Sequence, residues 1–188
     1  MHKLHEGISL YHGSYCTVES PDLLKCAPFK DFGRGFYLTT SKEQAACFVK
    51  TAVKKAEAQG IIDETQNFGF VSEYVFRRSA NIREFFFEEA DTQWLHCVVG
   101  HRKSGTFEEI VREMENYDII GGKIADDATN FTIVAYLSGA YGTVGTEKAD
   151  DGCISRLIPE RLQNQFCFRS ETALACLEFV EAEKIWIL

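Results

Sequence analysis

The sequence is poor in the residues and patterns that mark several classes of protein. Only three prolines and 14 glycines occur in 188 residues, which excludes a collagen-like or low-complexity chain. The longest apolar segment, residues 131–142, is interrupted by polar residues and glycine, so no run approaches the roughly 18 residues of a membrane span. The first residues also lack the apolar core of a signal peptide. These absences predict a globular protein that does not enter a membrane.

Basic residues and paired cysteines are also scarce. The chain has 20 Lys and Arg against 28 Asp and Glu, a net charge of -8, which disfavours generic binding to a nucleic-acid backbone. Its seven cysteines are an odd number and show no C-x-x-C spacing. Reduced thiols, each a small buried apolar residue, are the simplest interpretation, and they predict a cytoplasmic protein.

Several motifs that carry known chemistry are absent. The histidines and cysteines do not occur in pairs at zinc-ligand spacing, so no metal site is expected. Gly33-Arg34-Gly35 is not followed by Gly-Lys-Ser or Gly-Lys-Thr and is therefore not a phosphate-binding Walker loop. No Gly-x-Ser-x-Gly segment is present to form a hydrolase nucleophile elbow.

The hydrophobic pattern predicts one α+β domain over residues 1–188, because strands and helices alternate without a regular βαβ rhythm. Predicted strands cover residues 8–12, 36–39, 69–76, 85–87, 117–120, 165–168 and 184–188. Ser41 is a predicted N-cap of a helix that ends at Gly60, and further helices are predicted over 88–102 and 128–141. The buried face of the first helix is predicted to comprise Ala45, Phe48, Val49, Ala52, Val53 and Ala56. A last helix is predicted from Ser170, with Leu174, Leu177 and Val180 on one face.

Two short segments place chemically useful residues beside glycines. The first, residues 10–14, has His12 at a strand end next to Gly13, where a bare backbone allows close approach of a ligand. The second, residues 32–38, has Tyr37 on a strand directly after a glycine-rich turn. The alternative for each is a strand residue buried for structural reasons.

Together these segments resemble the NAD-binding core of the ADP-ribosyltransferase superfamily, in the branch of poly(ADP-ribose) polymerases and diphtheria-type toxins. That branch has His-Gly-Ser/Thr and Phe-Gly-x-Gly-Ile-Tyr-Phe motifs, and an aromatic residue 11 positions after the motif tyrosine, which is Phe48 here. The remaining sequence resembles a bacterial family of uncharacterised domains assigned to the same superfamily. Its hallmarks are a Trp-centred helix ending in His101-Arg102, the stretch 117–127, and the stretch 165–174.

The resemblance implies a fold, a substrate and a set of site residues. The implied fold is an ADP-ribosyltransferase-like split β-sheet sandwich with peripheral helices, and the implied substrate is NAD. The main chain of Gly13 would bind the nicotinamide carboxamide, Tyr37 and Phe48 would stack on the ring, and His12 would donate to the adenosine ribose. Ser14 completes the motif, and Arg34 in the turn is a candidate for the pyrophosphate.

One catalytic position departs from the pattern. The branch has a Glu at the start of the late strand, where this sequence has Gln165, which accepts a hydrogen bond but supplies no charge and is not a general base. This difference argues against chain elongation. Asp126 is a candidate to replace the missing charge, and its alternative is to cap the helix that follows. Glu171 is a second candidate, for which capping is the favoured interpretation.

The resulting expectation is an NAD-dependent mono-ADP-ribosyltransferase that releases nicotinamide and modifies a macromolecule. The resemblance implies a bacterial toxin of a toxin–antitoxin pair or a phage-defence effector, with a small antitoxin protein as partner. The acidic composition favours a protein acceptor over a nucleic acid. The alternatives are an NAD glycohydrolase and a non-catalytic module that binds NAD or ADP-ribose.

Overall fold

A computed structural model describes residues 4–124, 127–158 and 162–187, and it places the strands of this range in two sheets. The strands are β1 (Ser9–Ser14), β2 (Phe36–Leu38), β3 (Phe68–Phe76), β4 (Glu84–Phe86), β5 (Ile119–Lys123), β6 (Asn164–Phe168) and β7 (Leu177–Trp186). The helices are α1 (Lys42–Ala58), α2 (Thr92–Arg102), α3 (Glu108–Met114), α4 (Asp127–Leu137), α5 (Glu147–Leu157) and α6 (Glu171–Leu174). The α+β class is thereby confirmed.

The first sheet has the order β1-β3-β7 and is antiparallel throughout. The second has the order β2-β6-β5-β4, in which only the β4–β5 pair is parallel. The two sheets share a core of alternate strand residues, which include Leu10 and Tyr74 from the first sheet and Phe36, Phe166 and Phe168 from the second. The sheets therefore pack face to face, and each has a second face left for helices.

Helix α1 covers the outer face of the first sheet. Ser41 caps it as predicted, because its hydroxyl accepts a hydrogen bond from the Gln44 N–H at 3.2 Å. Ala45, Val49, Val53 and Ala56 are buried as predicted, whereas the ring of Phe48 is 47% exposed. The helix packs on the sheet through a stripe narrower than the predicted one, which leaves Phe48 at its margin.

Helix α2 covers the outer face of the second sheet and is buried on nearly all sides. Asp91 caps its first turn, so it begins at Thr92 rather than at residue 88. Helices α3 and α5, neither of which was predicted, pack against it and supply Met114, Ala149 and Cys153 to the same core. Helix α2 thus lies outside the pair of sheets but is itself buried by α3 and α5.

The prediction of a last helix from Ser170 is also wrong beyond the first turn. Ser170 caps α6 as expected, but this helix ends at Leu174 and the chain continues as β7. Leu177 and Phe179 face the core and pair with Phe76 and Tyr74 of β3. This segment is therefore a strand, because pairing with β3 outweighs the helical spacing of its apolar residues. Residues 184–186 of the predicted strand 184–188 form the end of this longer strand, and residue 188 lies outside the described residues. Helix α4 ends at Leu137, four residues before the predicted end.

Candidate functional site

Strands β1 and β2 meet at one isolated bridge and pair no further within the described residues. Tyr11 and Thr39 exchange both backbone hydrogen bonds, at 2.8 and 3.0 Å. Beyond this bridge, β1 continues to Gly13 and Ser14, while the chain after β2 turns into α1. We call the place where the two strands diverge the β1–β2 wedge, and the predicted site residues are placed relative to it below.

Gly13 presents its backbone to the wedge. Backbone groups of alternate residues in an antiparallel strand point to opposite edges. The C=O of Ile8 is directed to β3, where it accepts from Phe76, whereas Tyr11 is directed away from β3 to Thr39. Gly13 lies two residues after Tyr11, so its N–H and C=O also point away from β3. Among the described residues, no hydrogen-bond partner meets them on that side.

The absence of a side chain at Gly13 has a structural cause as well. A Cβ built on Gly13 would lie 2.1 Å from the backbone oxygen of Ala45 and 3.3 Å from Cγ2 of Val49. Gly13 therefore permits α1 to pack directly on β1. Its neighbour Ser14 lies on the opposite face of β1, is only 8% exposed, and pairs with Phe70 of β3.

His12 is tied to β2 through its ring. Its Nδ1 lies 2.8 Å from the carbonyl oxygen of Tyr37, and a carbonyl only accepts, so Nδ1 carries the proton. Desolvation lowers the pKa of His12 by more than this hydrogen bond raises it, and the charge of Lys30 lowers it further. The ring is thus neutral at pH 7, and its Nε2 is an acceptor. In this state Nε2 is able to accept a hydrogen bond but not to donate one, which differs from the donor role expected of His12.

The Tyr37 hydroxyl is committed to the glycine-rich turn. It donates to the Gly33 carbonyl at 2.8 Å and accepts from the Phe32 N–H at 2.9 Å. Burial raises the pKa of this hydroxyl well above its ordinary value. The hydroxyl therefore fixes the turn and is not a proton donor or acceptor for chemistry, whereas the half-buried ring remains a stacking surface.

Gln165 lies on the same face of the second sheet as Tyr37. Tyr37 pairs with Cys167, two residues along β6, and both side chains face α2. The Gln165 Nε2 lies 2.6 Å from Oδ2 of Asp31 and 3.5 Å from the Lys123 carbonyl oxygen. Oδ1 of Asp31 in turn accepts from Nε and Nη2 of Arg102, at 2.9 and 2.6 Å.

This Arg102–Asp31–Gln165 chain was not predicted, and it is the main feature that sequence reasoning missed. Its members are 71 and 134 positions apart, so no local spacing connects them. The available signal was indirect, since Arg102 and Gln165 each belong to a hallmark segment of the resemblance and Asp31 directly precedes the motif of Tyr37. Trp94 belongs to the same assembly, because its Nε1 donates to the Lys123 carbonyl at 3.0 Å.

The remaining predicted residues are dispersed. Arg34 is exposed on the turn, with only long contacts of 3.4 and 3.5 Å to the carbonyls of Leu24 and Leu23. Phe48 forms no ring contact with Tyr37 or with any other aromatic residue of the described chain. Asp126 lies outside the described residues. Glu171 is exposed in the first turn of α6, and the residue that caps this helix is its neighbour Ser170.

Cysteines, metals and membranes add little to this site. All seven cysteines are free thiols, and burial raises the pKa of the Cys167 thiol next to Tyr37 to about 12. Within residues 4–124, 127–158 and 162–187, no group of three or more His, Cys, Asp or Glu side chains is arranged to hold a metal ion. Over the same ranges, no helix has the length and apolarity needed to cross a bilayer.

Comparison with known proteins identifies a family whose description states no function. No curated protein matches the chain. Residues 8–179, which include every site residue discussed above, match a family model described as "Protein of unknown function (DUF3990)". Because this match covers most of its length, the chain belongs to that family.

Proposed function

We propose that this protein is an NAD-dependent mono-ADP-ribosyltransferase with an ADP-ribosyltransferase-like fold, and that NAD binds at the β1–β2 wedge. One observation carries the proposal. His12 and the partner-free edge of Gly13 lie on β1, Tyr37 lies on β2, and Gln165 lies on β6, which pairs with β2, although these residues are up to 153 positions apart in the sequence. These are the residues that a bent NAD would need on its nicotinamide side.

The nicotinamide would be held by backbone and aromatic groups. Its carboxamide has an NH₂ group that donates and a carbonyl oxygen that accepts, which match the outward C=O and N–H of Gly13 respectively. A cationic nicotinamide over the Tyr37 ring gains about 0.5–2 kcal/mol. The exposed ring of Phe48 is free to cover the other side of the nicotinamide once the ligand is present. The neutral His12 would accept a hydrogen bond from a hydroxyl of the adenosine ribose through Nε2.

The reaction requires little acid–base chemistry from the protein. The C1′–N bond breaks, its electron pair leaves with nicotinamide, and positive charge develops on the ribose. The acceptor then attacks C1′ with its own electron pair and gives up its proton to solvent. Gln165 would accept a hydrogen bond from the 2′-hydroxyl of that ribose and hold it still. Positioning and preorganised polar groups account for the larger part of such rate enhancements.

The identity of residue 165 supports a single transfer. A neutral amide cannot remove a proton from the hydroxyl of an ADP-ribose acceptor, so growth of a polymer is not expected. The net charge of -8 favours a protein acceptor over a nucleic acid, whose phosphates it repels. We place this activity in the bacterial cytoplasm, as a toxin or phage-defence effector restrained by a small antitoxin protein.

The test uses NAD labelled in its adenylate phosphate, incubated with the purified protein and a bacterial lysate. We expect free nicotinamide to appear and the label to enter material that protease, but not nuclease, degrades. His12→Ala should abolish both signals, whereas His5→Ala, which alters an exposed histidine bonded only to a neighbouring carbonyl, should not. Release of nicotinamide without label transfer would indicate a glycohydrolase. A protein that neither binds nor cleaves NAD refutes the proposal.

A further inference from the structure

We propose that Asp31 is the positioning residue for Gln165, and that it supplies through a hydrogen bond the negative charge that residue 165 itself lacks. The inference rests on the proposed NAD chemistry and adds a residue to it. It identifies what makes a neutral amide effective at a position where a carboxylate would otherwise be expected.

The Asp31 side chain is held in a fixed orientation. It is 6% exposed, and both nitrogen contacts from Arg102 converge on Oδ1, at 2.9 and 2.6 Å. A buried, charge-assisted contact of this kind fixes the planar guanidinium and the carboxylate together. Oδ2 is therefore directed to Gln165, whose Nε2 donates to it at 2.6 Å.

This contact fixes which way the Gln165 amide faces. Its two neighbours, Oδ2 of Asp31 and the carbonyl oxygen of Lys123, only accept hydrogen bonds. The NH₂ group must therefore face them, and a flipped amide would set oxygen against oxygen. The amide oxygen is left as the free end, and no hydrogen bond to it comes from the described part of the protein. It is the group available to the 2′-hydroxyl of the nicotinamide ribose.

The same contact makes this oxygen a stronger acceptor. Hydrogen bonds in a chain polarise one another, more so in a site of low dielectric constant. An anion that accepts from the amide nitrogen draws electron density onto the amide oxygen. The site thus directs negative character at the developing cation, while Arg102 bonds to the other oxygen of Asp31 and stabilises the buried carboxylate.

The test measures how strongly the protein requires the 2′-hydroxyl. NAD and an analogue that lacks the 2′-hydroxyl of the nicotinamide ribose are compared for nicotinamide release, and for affinity if release is too slow. The wild type should prefer NAD by about 10²-fold, as for a removed transition-state hydrogen bond. Asp31→Asn should reduce this preference to less than about 10-fold, by lowering turnover of NAD far more than its KM.

A matched control is Asp150→Asn, which alters an aspartate that is 2% exposed and bonded to His96 and Tyr136 outside the site. It should keep the full preference for NAD whatever it does to stability. If Asp31 only stabilised the fold, Asp31→Asn would also keep the full preference for NAD, as Asp150→Asn does.

A second variant keeps the test valid if Asp31→Asn folds poorly. Gln165→Glu alone places two carboxylates at hydrogen-bonding distance, and such a pair cannot ionise fully. The double variant Asp31→Asn/Gln165→Glu restores one carboxylate, one amide and the balance with Arg102. We expect it to recover both thermal stability and preference for NAD that each single change loses.

The Gln165 side-chain amide resonances give a readout that does not depend on NAD. In the wild type the Gln165 amide hydrogens should exchange slowly with solvent, and in Asp31→Asn they should exchange fast.

Two results would overturn the inference and leave the proposed function standing. One is a folded Asp31→Asn protein that keeps the full preference for NAD. The other is a double variant Asp31→Asn/Gln165→Glu whose stability and preference for NAD are no higher than those of the two single variants. Failure of the wild type to bind NAD overturns the proposed function, and with it the inference.

Discussion

Replacing Tyr37 by phenylalanine should weaken the fold and leave the chemistry intact. The change removes only the hydroxyl, which bridges the Phe32 N–H and the Gly33 carbonyl across the glycine-rich turn. Phe32 is fully buried, so its N–H is left without a partner in an apolar setting. The ring itself, which the proposed site uses as a stacking surface, is retained.

The size of the effect follows from these two lost contacts. An unpartnered buried donor costs about 1–3 kcal/mol, and the loss of the ordinary hydrogen bond to Gly33 adds about 0.5–1.5 kcal/mol. For a domain of this size, 1 kcal/mol corresponds to roughly 2–4 °C in the thermal midpoint. Tyr37→Phe should therefore lower the unfolding free energy by about 2–4 kcal/mol and the midpoint by about 4–16 °C.

Urea denaturation, with the midpoint and slope fitted separately, measures this loss. The matched control is Tyr11→Phe, whose hydroxyl makes only a 3.5 Å contact with Glu73, and it should change stability by less than about 0.5 kcal/mol. Nicotinamide release per folded molecule should stay within about threefold of the wild type for Tyr37→Phe, because the hydroxyl is not a catalytic group. A stable Tyr37→Phe protein whose turnover has collapsed would show that this assignment of the hydroxyl is wrong.

Three further predictions follow from the structure. Burial lowers the pKa of His101 from its usual 6.5, so the unfolded chain binds a proton first as the pH falls, and stability should decline below about pH 6.5. His101→Gln should flatten the decline measured by denaturation between pH 8 and 5, and an unchanged slope would contradict the assignment. Tyr136→Phe removes a buried hydroxyl that donates to Asp150 and accepts from the Gly145 N–H, and should cost about 1–3 kcal/mol without altering nicotinamide release per folded molecule. Induced expression in bacteria should arrest growth and His12→Ala should relieve the arrest, whereas an arrest that persists would separate toxicity from the proposed site.

The sequence predicts most elements whose signals are local. Ser41 and Ser170 were identified as N-caps because a hydroxyl before an acidic first turn satisfies free backbone N–H groups without help from the rest of the fold. The segments after Ser170 show the limit of this reasoning. Leu174, Leu177 and Val180 have helical spacing, yet β3 pairs with β7 along its whole length, interrupted only by a register shift at Val180, and this distant strand decides the structure.

The same distinction between local and distant signals applies to the candidate site. His12, Gly13 and Tyr37 were found because each belongs to a short motif around a glycine. The bond from His12 to the Tyr37 carbonyl, which leaves Nε2 as an acceptor, depends on how β1 meets β2 and has no local signal. Asp31 and Arg102 join segments that come together only in the folded chain. The motifs therefore identify candidate residues, but only the folded structure shows which groups those residues bond to.

The central claim is that the nicotinamide carboxamide binds the edge of β1 at Gly13, and the Gly13 amide resonance tests it directly. In ¹⁵N-labelled protein, saturation with NAD should move this resonance strongly, because a free edge N–H gains an acceptor. ADP-ribose, which has no carboxamide, should leave it nearly unmoved while shifting the signals around His12. If NAD binds and the Gly13 resonance stays in place, or if ADP-ribose moves it equally, the carboxamide does not bind there and the account of the site is wrong.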